Sequence, residues 1–173
     1  ERKYDDENIL HVFAPQIGHL LGNCMGEVNF LDIYKYIEKY IIRRHFIAFL
    51  IGYSNGAHAA WSLAEKYPDL IAGIYVVSGS VNTDYIKNIR NVFIRNVSSI
   101  EDELFSDCYK KPGELLSSHE QYHSMLVENA NHTDLFYMLY QRDYLSELLQ
   151  SKKVEEPKEF EFFTQSNQFL TAY

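Results

Sequence analysis

The pentapeptide Gly52-Tyr53-Ser54-Asn55-Gly56 sets a serine between two glycines. Before it runs Phe46-Ile47-Ala48-Phe49-Leu50-Ile51, an apolar stretch of strand length. After it, Ala57 to Lys66 has helical spacing, with Ala57, Ala60, Trp61 and Ala64 on one face and Pro68 beyond its end. G-x-S-x-G between a strand and a helix is the pattern of a nucleophile elbow, a sharp turn that lifts a serine oxygen clear of a sheet. The glycines let strand and helix approach closely without side chains colliding. The plainer alternative is a structural turn that happens to contain serine.

A serine hydroxyl is a poor nucleophile at neutral pH. It needs a base, a group that orients the base, and donors for the developing oxyanion. His132, in Glu128-Asn129-Ala130-Asn131-His132, follows the last predicted strand, where a loop could carry it over the serine. Six other histidines compete. The elbow helix carries His58 away from the strand edge. His11 falls within a predicted strand and His45 before one, so all three read as structural. His19 sits on a loop and is a weak candidate for lining a pocket. The orienting acid belongs just past the predicted strand Val92–Val97, where Glu101, Asp102 and Glu103 stand, with Asp107 further on. Asp102 is the first choice and Glu101 the reserve; at least two of the run read as solvated acids. The backbone N–H of Asn55 is the expected oxyanion donor. A second donor normally comes from a loop after an earlier strand, and no such strand and loop precede Ile9.

The elements that must position these residues alternate. Ile9 to Ala14 reads as a short strand closed by Pro15, followed by a loop through Gly18, Gly22 and Gly26. Phe30, Ile33, Tyr34, Ile37 and Ile41 recur at helical spacing, with Asn29 and Asp32 as a capping pair. Ile71 to Ser78 lacks polar alternation, as a strand buried on both faces of a parallel sheet would. A short helix over Glu114–His119, a strand over Ser124–Val127 and a helix over Thr133–Gln150 complete the pattern. The last helix would bury Leu135, Met138, Leu139, Leu145 and Leu149. Strands alternating with helices predict an α/β fold, a mostly parallel sheet flanked by helices.

The expected division is one domain over residues 1–150, N-terminally short, then a linker and aromatic C-terminal tail over 151–173. The tail carries Phe160, Phe162, Phe163, Phe169 and Tyr173 after the charged run Lys152 to Lys158. It reads as a cover for core surface, with self-association or partner contact as the alternative. Of the 173 residues, 46% are hydrophobic and 15% aromatic, enough for a packed core. A formal net charge of −8 argues against nucleic acid or an anionic membrane surface as the main partner. No segment has the length of a transmembrane helix, so no stable membrane insertion is expected. Two cysteines, Cys24 and Cys108, make no disulfide framework and read as free thiols. With no secretory leader visible, the expected location is cytoplasmic.

Several stretches, taken in order, resemble the phospholipase/carboxylesterase group of α/β-hydrolases, including its esterase and predicted peptidase relatives. Val12-Phe13-Ala14-Pro15-Gln16 is similar to the group's strand ending in Ala-Pro-Gln. Gly52 to Ala57 is similar to its nucleophile motif. Trp61 to Asp69, followed by Ile71-Ala72-Gly73, resembles its elbow helix and next strand. Asn131-His132 and the following helix resemble its histidine loop and final helix. The resemblance spans roughly residues 9 to 150, with the elbow its specific part. It implies an α/β-hydrolase-like sheet short of its N-terminal strands. It also implies hydrolysis of carboxylic esters through an acyl-enzyme formed on Ser54, without cofactor or metal; the abundant tyrosine and phenylalanine, which could line an apolar pocket, point to a small-molecule or lipid-like ester. Two departures stand out. The group's His-Gly oxyanion loop would precede Glu1, and Arg95-Asn96-Val97-Ser98-Ser99 does not reproduce its His-Gly-x-x-Asp acid segment.

Two other functions compete. A degenerate hydrolase fold used only for binding would explain both departures. His119-Glu120-Gln121-Tyr122-His123 matches H-E-x-x-H, which on one helix binds zinc with the glutamate as general base. Here it straddles a predicted helix and strand, and Glu147 is the only downstream carboxylate in contention. Surface histidines are the plainer reading.

Overall fold

The structure is a computed structural model; it describes residues 9–12, 24–42, 46, 48–81, 85–89, 91–141 and 143–149. Helix α1 (Cys24–Tyr36) runs into a π-helical segment (Ile37–Ile42) and leads to strand β1 (Ala48–Tyr53). Then come α2 (Asn55–Lys66), β2 (Ile71–Val77), a 3-10 turn (Ile86–Ile89), β3 (Phe93–Ser99), α3 (Lys110–Leu115) and β4 (Tyr122–Val127). The helices α4 (His132–Gln141) and α5 (Tyr144–Leu149) close the described chain.

The strands form one sheet in the order β1-β2-β3-β4, and each neighbouring pair is parallel. Parallel neighbours cannot be joined by a hairpin, so the chain crosses over between them through helical segments. All four strands therefore end on the same side, where Ser54, Ser78, Asp102 and His132 follow β1, β2, β3 and β4 respectively.

β2 is the spine of the core. Its residues alternate between two apolar clusters, as side chains on opposite faces of a sheet must. Ile74 and Val76 cluster with Ala57, Ala60, Trp61 and Ala64 of α2 and with Ile94 of β3. Tyr75 and Val77 cluster with Val97 of β3, Leu135 of α4 and Leu148 of α5. Helices thus cover both faces, which is why β2 shows no polar alternation. The small residues of α2 let it lie close to the strands.

Several boundaries differ from expectation. Residues 9–12 form no strand, and His11 is exposed; Phe13 and Ala14 lie outside the described residues. An apolar run becomes a strand only where a neighbour satisfies its backbone groups. No described strand does so here, and Leu10 and Val12 instead line a shallow hollow with Ile33 and Ile37. Gly18, Gly22, His19 and His45 fall outside the described residues, while Gly26 is inside α1. That helix begins before Asn29 because Glu27 anchors its first turn. The Glu27 carboxylate accepts hydrogen bonds from Lys66 Nζ and Tyr67 Oη, each at 2.6 Å. The short helix lies at Lys110–Leu115, earlier than Glu114–His119. The last helix is two helices. Asp143 caps α5 through Ser146 N–H at 3.2 Å and Ser146 Oγ at 2.9 Å. The new start re-phases the helix, so Leu148 is buried and Leu149 is 42% exposed. The side chains of Leu145 and Cys24, and the tail after Leu149, lie outside the described residues. Cys108 is a buried free thiol whose pKa burial pushes up. Among the described residues no helix is long and apolar enough to cross a membrane.

Candidate active site

Ser54 sits between β1 and α2 with φ 54° and ψ −118°, a backbone conformation that residues with side chains rarely adopt. Such a residue costs on the order of 1–3 kcal/mol and persists only where its surroundings hold it. Here Ser54 N–H donates to Val77 O at 2.9 Å, and the Ser54 carbonyl accepts from Ala57 and His58 N–H at 2.9 and 3.2 Å. Two glycines make the turn possible. A Cβ on Gly52 would lie 2.2 Å from Gly56 O, and one on Gly79 would lie 2.5 Å from Ala57 Cβ and 2.9 Å from Ser54 O. A Cβ on Gly56 would meet open space. The motif's second glycine is therefore not a steric requirement, whereas Gly79, outside the motif, is.

His132 is the first residue of α4. Asn131 and Asp134 cap that helix reciprocally: Asp134 N–H donates to Asn131 Oδ1 at 2.9 Å, and Asn131 N–H to Asp134 Oδ2 at 3.0 Å. Tyr53 Oη donates to His132 O at 2.8 Å, and His132 N–H donates to Glu103 Oε2 at 3.1 Å. The imidazole lies between the rings of Tyr53 and Phe105, with centroids 4.9 and 5.6 Å away. So placed, its Nε2 is 3.1 Å from Ser54 Oγ.

On the other side of the ring, Nδ1 lies 3.1 Å from each oxygen of Asp102 and 2.7 Å from Ser78 Oγ. Asp102 is 1% exposed, in the turn after β3. Its Oδ1 accepts from Leu104 and Phe105 N–H at 2.9 and 3.0 Å, and its Oδ2 accepts the Ser78 hydroxyl. Burial pushes this carboxyl up. The hydrogen bonds from Ser78, His132, Leu104 and Phe105 outweigh it and hold the group below the ordinary value, hence ionised.

The other acids of the run are elsewhere. Glu101 is exposed and accepts the Ser99 hydroxyl at 2.9 Å. Glu103 is exposed at the amide of His132. Asp107 pairs with Lys110 at 2.6 Å on the surface. Asn55 is the first residue of α2, where backbone N–H groups lack intrahelical acceptors, directly beside Ser54. The imidazole of His58 is engaged by Ser80, its Nδ1 donating to Ser80 O at 2.8 Å, and only its backbone N–H bonds to Ser54. The H-E-x-x-H residues do not share a helix. His119 lies in the turn after α3, giving Nε2–H to Ile89 O at 2.8 Å and accepting Gln121 N–H on Nδ1 at 3.1 Å. His123 is on β4 with its ring against Phe93, and Glu147 on α5 pairs with Arg95 at 2.7 Å. Among the described residues no group of three or more His, Cys, Asp or Glu is placed to hold a metal ion.

Sequence reasoning missed Ser78 and Gly79. The run Ile71 to Ser78 reads as one strand, which makes Ser78 its last member. The Ser78-Gly79 pair directly after an apolar run is itself a turn signal, and it marks this place.

No family model matches the chain, and no curated protein matches its sequence. Among solved structures the chain is similar to a thermostable esterase, with a TM-score of 0.66 and 12% identity over 73% of this chain and 36% of that one. It is also similar to TT1662 from Thermus thermophilus, with a TM-score of 0.54 and 15% identity over 73% of this chain and 63% of that one. The chain thus spans less than two thirds of the length of either. The fold is α/β-hydrolase-like, a parallel sheet flanked by helices.

Proposed function

We propose that this domain is a serine hydrolase that cleaves carboxylic esters through an acyl-enzyme. The observation that carries the proposal is the unbroken line from Ser54 Oγ to His132 Nε2 at 3.1 Å and from His132 Nδ1 to Asp102 at 3.1 Å. Ser54 attacks the ester carbonyl as its proton passes to Nε2. His132 returns that proton to the leaving alcohol. Water, activated by the same nitrogen, then hydrolyses the acyl-serine. Asp102, ionised and buried, keeps the remaining proton on Nδ1 and so leaves Nε2 free to act as base. The Asn55 N–H at the start of α2 stabilises the tetrahedral oxyanion.

The surroundings favour a neutral ester with an apolar group. Tyr53 and Phe105 flank His132; Phe136 packs on Tyr53 at 5.1 Å and Tyr140 on Phe136 at 5.0 Å. Glu103 adds an exposed negative charge beside His132, in a chain of net charge −8, which disfavours anionic substrates.

A fluorophosphonate probe, which phosphonylates activated serines, tests the proposal. The expected result is one modified residue, Ser54, in the full-length wild type and none in Ser54→Ala. Absence of label in the wild type sinks the enzyme reading and leaves a binding role for the fold.

A further inference from the structure

Ser78 is a buried serine one residue past β2, held at φ 55°. Its N–H donates to Val97 O at 2.9 Å, which ties it to the neighbouring strand. A buried hydroxyl needs one acceptor for its proton, and Asp102 Oδ2 provides it. With the proton committed there, the Ser78 oxygen can only accept. It faces His132 Nδ1 at 2.7 Å, closer than either oxygen of Asp102. The closest partner of Nδ1 is therefore this hydroxyl, which is itself bonded to the carboxylate.

We propose that Ser78 is a positioning residue for the ester-cleaving centre, a relay hydroxyl that accepts the Nδ1–H of His132 while donating to Asp102. The inference rests on the serine-hydrolase reading and deepens it. In the acylation step the Ser54 O–H bond breaks and the Nε2–H bond forms, so positive charge develops on the ring. Ser78 keeps its own proton throughout. Its bond to Asp102 polarises its oxygen, and that oxygen faces the charge growing on Nδ1–H. A hydroxyl so placed fixes the tautomer before reaction and stabilises the imidazolium during it. The left-handed backbone at Ser78 is what aims the side chain back between Asp102 and His132.

Ser78→Ala and Ser78→Gly test this together. Both remove the hydroxyl, but alanine keeps the positive-φ strain and glycine relieves it. With a short-chain p-nitrophenyl ester, both are expected to keep KM and to lose about 10- to 100-fold in kcat, the size of one hydrogen bond to a charged group. In proton NMR, the Nδ1–H resonance of His132 is expected to move in both variants relative to wild type. A kcat equal to wild type overturns the proposal, as does an Nδ1–H resonance that stays in place. A loss in Ser78→Ala that Ser78→Gly restores assigns the effect to backbone strain and overturns it too. If the wild type itself neither labels with fluorophosphonate nor turns over ester, the hydrolase reading falls. The resonance then still reports whether Ser78 holds the ring.

Discussion

Asp102 gathers donors on both carboxylate oxygens, and this sets a pH dependence. Its folded pKa is depressed, so the ionised form contributes stability above the ordinary carboxylate range, and that contribution is lost as pH falls through the lowered value. Wild type is therefore expected to melt higher than Asp102→Asn at neutral pH, and the gap to close as pH falls through that range and below it. Thermal melts from pH 7 downward check this; a gap independent of pH removes the ionised carboxylate as its cause. How legible this residue was depends on the same physics. Spacing along the chain led to Glu101, Asp102 and Glu103 together, but only burial separates one acid from its neighbours, and burial belongs to the folded turn. Ser78 was harder still. Its role depends on residues 54 and 132 arriving beside it from other strands, and no local pattern carries that information.

The elbow was the most legible element because local chemistry and tertiary need coincide there: an apolar strand, a turn and an alanine-faced helix. Its two glycines are not equivalent. Gly52→Ala is expected to lower Tm sharply and to abolish fluorophosphonate labelling, since the new methyl would stand 2.2 Å from Gly56 O. Gly56→Ala enters open space inside a helix and is expected to hold or raise stability, by about 0.5–1 kcal/mol. Paired melts and labelling separate the two. If both variants fail alike, close packing at Gly52 is not the reason the motif carries glycine. Boundaries elsewhere were less legible because long-range partners set them. Glu27 draws the start of α1 toward Lys66 and Tyr67, and Asp143 divides the last helix and shifts its buried face from Leu149 to Leu148.

Across the whole molecule, stability depends on β2 and the two apolar layers against it. Trp61 is fully buried at the centre of the α2 layer. Trp61→Ala is expected to cost about 3–5 kcal/mol in urea unfolding, against a small effect for Tyr140→Ala, whose side chain is 76% exposed. Equal costs would show that the layer on α2 does not dominate the fold. The alternation of elements predicted this layered plan, since a parallel sheet must be covered on both faces. It could not predict that residues 9–12 stay outside the sheet, because strand pairing is a property of neighbours. One contact described above reaches further than its size. Gly79 meets the Ser54 carbonyl and Ala57 with no room for an added methyl, so the segment just past β2 bears directly on the turn that carries Ser54. Ser78, joined to Gly79 by a peptide bond, must then keep step with Ser54 when the surrounding packing shifts. The spacing of the two hydroxyls about one imidazole is gauged by main chain, and substitutions in the outer layers can loosen the domain without changing it.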